Sequence, residues 1–218
     1  DVSEPANPQR IGFLDTPAFA SSICVAGNYA YVTDNASGLQ IINIANPSSP
    51  VWTGAYNTPG VASGVTIVGN YAYVADRYGG LRIIDISNPS APTETGFFVT
   101  NYAYGVAVAG NYAYVADNVS GIRIIDITDP SAPTQAGFYD TPGYAWSVVV
   151  VGNFAYVADG MPGLRVLNIS NPAAPISVGV CDLPGTSVGI AISGNYALMA
   201  ADSAGLRVID ISNPAAPS

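Results

Sequence analysis

Lysine and histidine are absent from this 218-residue chain, and arginine occurs six times against 15 Asp and Glu, for a net charge of -9. A nucleic-acid binder needs a basic surface to neutralise phosphates, so that class is excluded. Without imidazole, His-based acid–base catalysis and His-ligated zinc or copper are excluded as well. Only two cysteines occur, Cys24 and Cys181, too few for a disulfide framework or a thiolate cluster. The acidic balance also disfavours anionic membrane surfaces. Val99–Ala116 and Leu183–Ala201 carry no charge, but Gly-Asn interrupts each midway, so each reads as two strands and a turn rather than a spanning helix. Membrane insertion is not expected. With 49% hydrophobic residues and 10% charged ones, the chain is too apolar to be disordered.

What the sequence does have is a clock. Gly-Asn-Tyr/Phe-Ala begins at Gly27, Gly69, Gly110, Gly152 and Gly194, at intervals of 42, 41, 42 and 42 residues. Gly-Leu/Ile-Arg/Gln begins at Gly38, Gly80, Gly121, Gly163 and Gly205, and Pro8, Pro50, Pro92, Pro133, Pro175 and Pro217 keep the same beat. A period of about 40–45 residues belongs to propeller blades or to helical solenoids. Composition decides for strands. From Pro92 onward the runs Thr95–Phe98, Tyr104–Ala109, Asn111–Asp117 and Ile122–Thr128 are rich in Val, Ile and Tyr and are bounded by Gly, Asn and Pro. Ala-Gly-Asn-Tyr predicts a two-residue type II′ hairpin turn with Gly at positive φ. Asn-Pro-x-x-Pro ends a strand by removing ladder donors.

The expected fold is therefore all-β: a five-bladed β-propeller with four antiparallel strands per blade. Residues 1–7 read as a linker, and residues 8–218 as a single propeller of about 42-residue repeats starting near Pro8, Pro50, Pro92, Pro133 and Pro175. Pro8–Pro17 matches Pro133–Pro142, so the N-terminal strand, about Arg10–Asp15, is expected to complete the last blade beside Leu206–Ser212 and close the ring; the rival reading is an open fragment of a larger array, with the match of ends accidental. Cys24 and Cys181 fall in different blades and are expected to be free, largely buried thiols.

The strand Leu81-Arg-Ile-Ile-Asp-Ile-Ser-Asn-Pro89 recurs closely at Ile122–Pro130, Leu164–Pro172 and Leu206–Pro214. It resembles the LVIVD repeat family, and the resemblance covers the chain from Pro8 onward. It implies a secreted or cell-surface repeat protein of bacterial or archaeal type, here a module of a longer polypeptide. It carries no catalytic motif and no cofactor.

The five copies separate scaffold from variation. The Gly-Asn hairpin and the Asn/Asp-Pro-x-x-Pro strand end barely change, whereas two loops per blade vary. These are the loop entering each blade (Ala18–Ala20, Gly60–Ser63, Asn101–Tyr104, Gly143–Trp146, Gly185–Ser187) and the second hairpin loop (Asn35–Ser37, Arg77–Gly79, Asn118–Ser120, Gly160–Pro162, Asp202–Ala204). Both are expected on one face, which makes that face the candidate binding surface. Its aromatics are Phe19, Tyr78, Tyr102, Tyr104, Tyr144 and Trp146, with Arg77 the only variable-loop cation. Rings with polar tips suit protein hot spots and sugar faces alike. Some of them, Tyr104 and Trp146 first, also read as caps on the blade ends.

Asp34, Asp76, Asp117 and Asp159 close the second strand of their blades, and Asp202 is shifted by one in the fifth. They read as turn caps accepting N–H groups of their own Asp-x-x-x-Gly loop, and no metal site is expected from them. Arg82, Arg123, Arg165 and Arg207, with Gln40 as the exception, read as a regular ion-pair ladder. Carboxylates fall almost wholly at repeat positions and look alike, which is unlike the two contrasting carboxylates of a glycosidase. No Gly-x-Ser-x-Gly elbow or phosphate loop is present. The expectation is a non-catalytic module without cofactor that binds a protein partner at a cell surface or outside the cell. A carbohydrate-binding propeller is the alternative, and a glycoside-active enzyme a distant third.

Overall fold

The computed structural model describes residues 1–218 and is built of strands, apart from one 3-10 turn at Asp202–Ala204. Blade 1 holds β1 (Ser22–Ala26), β2 (Tyr29–Thr33), β3 (Leu39–Asn43) and β4 (Val51–Tyr56). Blade 2 holds β5 (Gly64–Val68), β6 (Tyr71–Ala75), β7 (Leu81–Asp85) and β8 (Thr93–Phe98), and blade 3 holds β9 (Gly105–Ala109), β10 (Tyr112–Ala116), β11 (Ile122–Asp126) and β12 (Thr134–Tyr139). Blade 4 holds β13 (Ser147–Val151), β14 (Phe154–Ala158), β15 (Leu164–Asn168) and β16 (Ile176–Cys181). Blade 5 holds β17 (Gly189–Ser193), β18 (Tyr196–Ala200) and β19 (Leu206–Asp210). All pairings are antiparallel between chain neighbours. The starts of the inner strands line a central cavity of about 310 Å³, to which all five blades contribute, from Ser21 in blade 1 to Val188 in blade 5. This is the expected five-bladed all-β propeller arrangement.

The turn chemistry is as the sequence dictates. Gly27, Gly69, Gly110, Gly152 and Gly194 sit at φ +56 to +57 while the following Asn keeps a negative φ, which is the type II′ pattern. The outer strands add a feature that the repeat does not announce. Each four-stranded blade has a register shift between its third and fourth strands, as between Ile83 and Ile84, where Gly96 and Glu94 are the partners and Thr95 is extra. Beyond the bulge, Gly96 brings the outer strand against the next blade, where a Cβ would lie 2.3 Å from the Pro130 carbonyl oxygen.

Packing runs from blade to blade. One face of each blade (Tyr73, Ala75, Leu81 and Ile83 in blade 2) meets the opposite face of the next (Ala113, Val115, Ile125 and Ile127 in blade 3) in one buried cluster. Equivalent clusters join blades 1 and 2, 3 and 4, and 4 and 5. The second-strand aromatics two residues apart share these cores: Tyr31, Tyr73, Tyr114 and Tyr156 are buried in them, and the partly buried Tyr29, Tyr71, Tyr112 and Phe154 pack against the same clusters.

One expectation is corrected. Blade 5 has three strands, and Arg10–Asp15 forms no ladder with β19. The segment lies instead against blade 1, where Leu14 packs on Ala30, Val32 and Ile42, and Thr16 Oγ1 donates to Asp34 at 2.8 Å. The physical reason is register. Leu14 holds the place that Tyr56 holds against blade 2, so the segment behaves as the outer strand of a blade preceding blade 1. Cys24 and Cys181 are free, as expected, but half-buried.

Candidate functional site

The two variable loops share a face because the backbone ties them together. Arg77 and Ala103 form an isolated antiparallel bridge between the second hairpin loop of blade 2 and the loop entering blade 3. Asn35–Ala62, Asn118–Ala145 and Gly160–Ser187 repeat that bridge. The bridging residue of the hairpin loop sits at positive φ, with Asn35 at +44, Arg77 at +42, Asn118 at +53 and Gly160 at +65, and the unbridged Asp202 shares it at +42, so the hairpin itself sets this conformation. Asn and Gly tolerate this region, whereas a long side chain such as Arg is strained there.

The entering loop is held from below by the buried Asp. Thr58 Oγ1 and the Gly60 N–H both donate to the Asp76 carboxylate, and the N–H groups of Asn101 and Tyr102 donate to Asp117 at 3.1 and 2.6 Å. The expected cap is thus corrected. Asp34, Asp76 and Asp117 accept from the loop 15–18 residues upstream, not from their own hairpin loop, whereas Asp159 accepts from Arg165 and its Oδ1 is buried without a donor. Burial pushes the Asp76 carboxyl above its ordinary range, with the hydrogen bonds and Arg82 pulling it back down. The blade arginines lie on the other side of these carboxylates. The Nε atoms of Arg82, Arg123 and Arg165 stand 3.7, 3.7 and 3.1 Å from Asp76, Asp117 and Asp159. Gln40 instead donates to the Ser37 carbonyl.

On this platform five of the seven candidate residues come together. Tyr78 and Tyr102 meet edge to face with centroids 4.6 Å apart, and the Tyr102 hydroxyl donates to the Tyr78 hydroxyl at 3.0 Å. Tyr102 continues to Tyr104 at 5.1 Å, and Tyr104 to Trp146 at 4.3 Å. Arg77 lies 5.2 Å above the Tyr104 ring, and its Nε donates to Ser63 Oγ at 2.9 Å. The result is a string of four rings crossing from the blade 2 loop to the start of the blade 4 inner strand. Tyr78, at the outer end, is exposed; Tyr102, Tyr104 and Trp146 are half-buried. Tyr104 and Trp146 also line the mouth of the central cavity, which reconciles the capping and surface readings of these two. Burial pushes the Tyr104 phenol above its ordinary range. The Trp146 Nε1–H is buried without an acceptor.

The other two candidates stand apart. Tyr144 lines a separate hollow of about 380 Å³ with Val119, Pro142, Met161 and Pro162. Phe19, on blade 1, is 81% exposed and makes no ring contact. Sequence reasoning missed Met161, which is 77% exposed beside Tyr144, and Ser63, which fixes Arg77. Both lie in loops marked as variable, and the signal for Met161 was its unique place there.

Two solved structures superpose well on this arrangement. The computationally designed Ika8 protein matches with a TM-score of 0.69 at 11% identity, over 88% of this chain and 58% of that one. A candidate 6-phosphogluconolactonase from Bacteroides uniformis matches with a TM-score of 0.74 at 12% identity, over 86% of this chain and 65% of that one. The chain thus spans less than two thirds of the length of either, and at such identities the likeness is one of fold alone. No curated protein matches the sequence. The LVIVD repeat matches five times, at residues 19–58, 59–100, 101–141, 142–183 and 184–218, and the chain therefore belongs to the LVIVD repeat family.

Proposed function

We propose that this propeller is a non-catalytic interaction module that docks a protein partner, at a cell surface or outside the cell, through the variable-loop face. The observation that carries the reading is the string Tyr78–Tyr102–Tyr104–Trp146 with Arg77 clamped beside it. Tyr, Trp and Arg are the residue types that dominate binding energy at protein interfaces, and rings held by their neighbours lose little freedom when a partner arrives. Few polar groups converge on the string. Its phenol tips and the Arg77 guanidinium are donors suited to backbone carbonyls or carboxylates of a partner. Asp76 and Asp117 below it are already engaged by loop N–H groups and arginines, unlike the two free, contrasting acids that glycoside chemistry uses.

The carbohydrate reading rests on the Tyr144 hollow, where a ring stands beside Met161 and Pro162 with open space in front. The test is a glycan array run with the folded protein beside photo-crosslinking from position 78 on intact cells of the source. A cross-linked partner that disappears with Tyr102→Ala and Trp146→Ala, on a blank array, supports the protein reading. Selective glycan binding that is lost with Tyr144→Ala replaces it by the lectin reading.

A further inference from the structure

In each junction between consecutive blades the same positions are sealed. Leu39, Leu81, Ile122 and Leu164 are fully buried, as are Ile41, Ile83, Ile124 and Val166. Blade 5 carries this pair as Leu206 and Val208, and they are 66% and 59% exposed. Ala200 beside them is exposed, whereas Ala75, Ala116 and Ala158 are buried. Across the ring, blade 1 shows the complementary deficit. Ile23 is 63% exposed where Val65, Val106 and Val148 are buried, and Ala20 is exposed where Ala62, Ala103, Ala145 and Ser187 are fully buried. The backbone bridge that links every other neighbouring pair of blades has no counterpart between Asp202 and Ala20. No core cluster joins blades 5 and 1.

The strand edges say what fits this gap. Ser218 exchanges backbone hydrogen bonds with Asp210 at 2.7 and 3.0 Å, the rung that Val51 makes with Asn43 in blade 1. It thus stands on the first rung of an outer strand along the free edge of β19. Arg10–Asp15 already occupies a different outer-strand position, that of the blade before blade 1. Leu14 sits on the blade 1 face, and a Cβ at Gly12 would strike the Pro47 carbonyl as one at Gly54 would strike that of Pro89. Between these two positions a whole number of repeats is required.

We propose that the exposed faces of blades 5 and 1 are the two sides of a seat for one or more whole blades of the same repeat, which close the ring through junctions like the four already made. Apolar faces of this kind demand cover, since large exposed patches on a soluble protein mark an interaction surface. Continuity with four established interfaces of identical pattern fixes the occupant as a blade. Both superposed structures also extend well beyond the matched arc.

The test compares the 218-residue chain with chains lengthened after Ser218 by one or two copies of Gln135–Ile176, the unit that continues the register. Thermal unfolding is measured with and without the doublet Leu206→Asp/Val208→Asp, with Leu164→Asp/Val166→Asp as the sealed-junction control. The doublet should leave the 218-residue chain unchanged while the control disrupts it. In one of the lengthened chains the doublet should become destabilising, and β19 amides should exchange about tenfold more slowly or better. A doublet that destabilises the 218-residue chain independently of concentration would mean that the five blades close on themselves, and would overturn the proposal. So would a dimer by light scattering that the doublet dissociates, since a second copy would then fill the seat. Absence of added protection in both lengthened chains would also reject it.

Discussion

The Tyr102 hydroxyl donates to the Tyr78 hydroxyl across 3.0 Å, which links the ionisation of each phenol to that of the other. Once one proton is lost, the phenolate is held by the other hydroxyl. Tyr102 lies below the ordinary tyrosine range because Tyr78 can donate to it, with Arg77 adding to the effect, and Tyr78 lies above for the reciprocal reason. Spectroscopic titration of the phenolate band should show one tyrosine ionising ahead of the others. Tyr78→Phe should remove that early step, and Tyr78→Phe with an unchanged titration would mean that the pair is not formed in solution.

The outer-strand glycines set a second expectation. Gly96→Ala places a methyl against backbone of the next blade, with no flexible side chain to yield. Overpacking of that kind costs about 1–3 kcal/mol, visible in urea unfolding. Gly12→Ala meets the Pro47 carbonyl in the same way, but its segment is bound by no ladder and can lift away. It should cost far less. Equal losses at the two positions would show that Arg10–Asp15 is as firmly seated as β8.

Acid should weaken the fold through a defined set of carboxylates. Asp85, Asp126, Asp129 and Asp210 are held below the ordinary aspartate range by hydrogen bonds from Ser87, Thr128, Ser131 and Ser212. A folded-state value below the unfolded one contributes stability above the unfolded range, about pH 3.9, that is lost as pH falls through the lowered value. Burial raises Asp76, and the sign is opposite: its contribution is present below the unfolded value and lost as pH rises through the raised one. Thermal midpoints should therefore drop on acidification below about pH 4. Asp129→Ala should flatten that drop.

Thr58 separates loop anchoring from core packing. Its hydroxyl reaches Asp76 inside the blade end, and Thr58→Val keeps the shape while leaving one carboxylate oxygen short of a donor. A loss of about 1–3 kcal/mol is expected, read by denaturant unfolding, with faster amide exchange at Gly60–Ser63. A loss without that local change would place the effect in packing instead.

The repeat made the blades legible because each turn is written in residues with one conformational use. Gly27 at positive φ and Pro50 at a strand end need no tertiary context to be understood. Ring closure is of another kind. It depends on the angle between neighbouring blades summed around the axis, and no single residue encodes that sum, so the match between Pro8–Pro17 and Pro133–Pro142 placed the N-terminal strand in the right role but on the wrong blade. The bulge at Thr95 was hidden for a similar reason, since it appears only when strand lengths on both sides of the ladder are compared. At the candidate site, composition picked out Arg77, Tyr78, Tyr102, Tyr104 and Trp146. Their order in space came from the Arg77–Ala103 bridge, which links residues of different blades.

Because each core lies between one blade and the next, and nowhere deeper, cooperativity in this molecule is a nearest-neighbour property. Blades 2, 3 and 4 each draw on two interfaces, whereas blade 5 draws on one. Unfolding should begin as fraying at β17–β19 and travel inward like a zipper, so the aromatic string on blades 2 to 4 sits in the stretch that melts last.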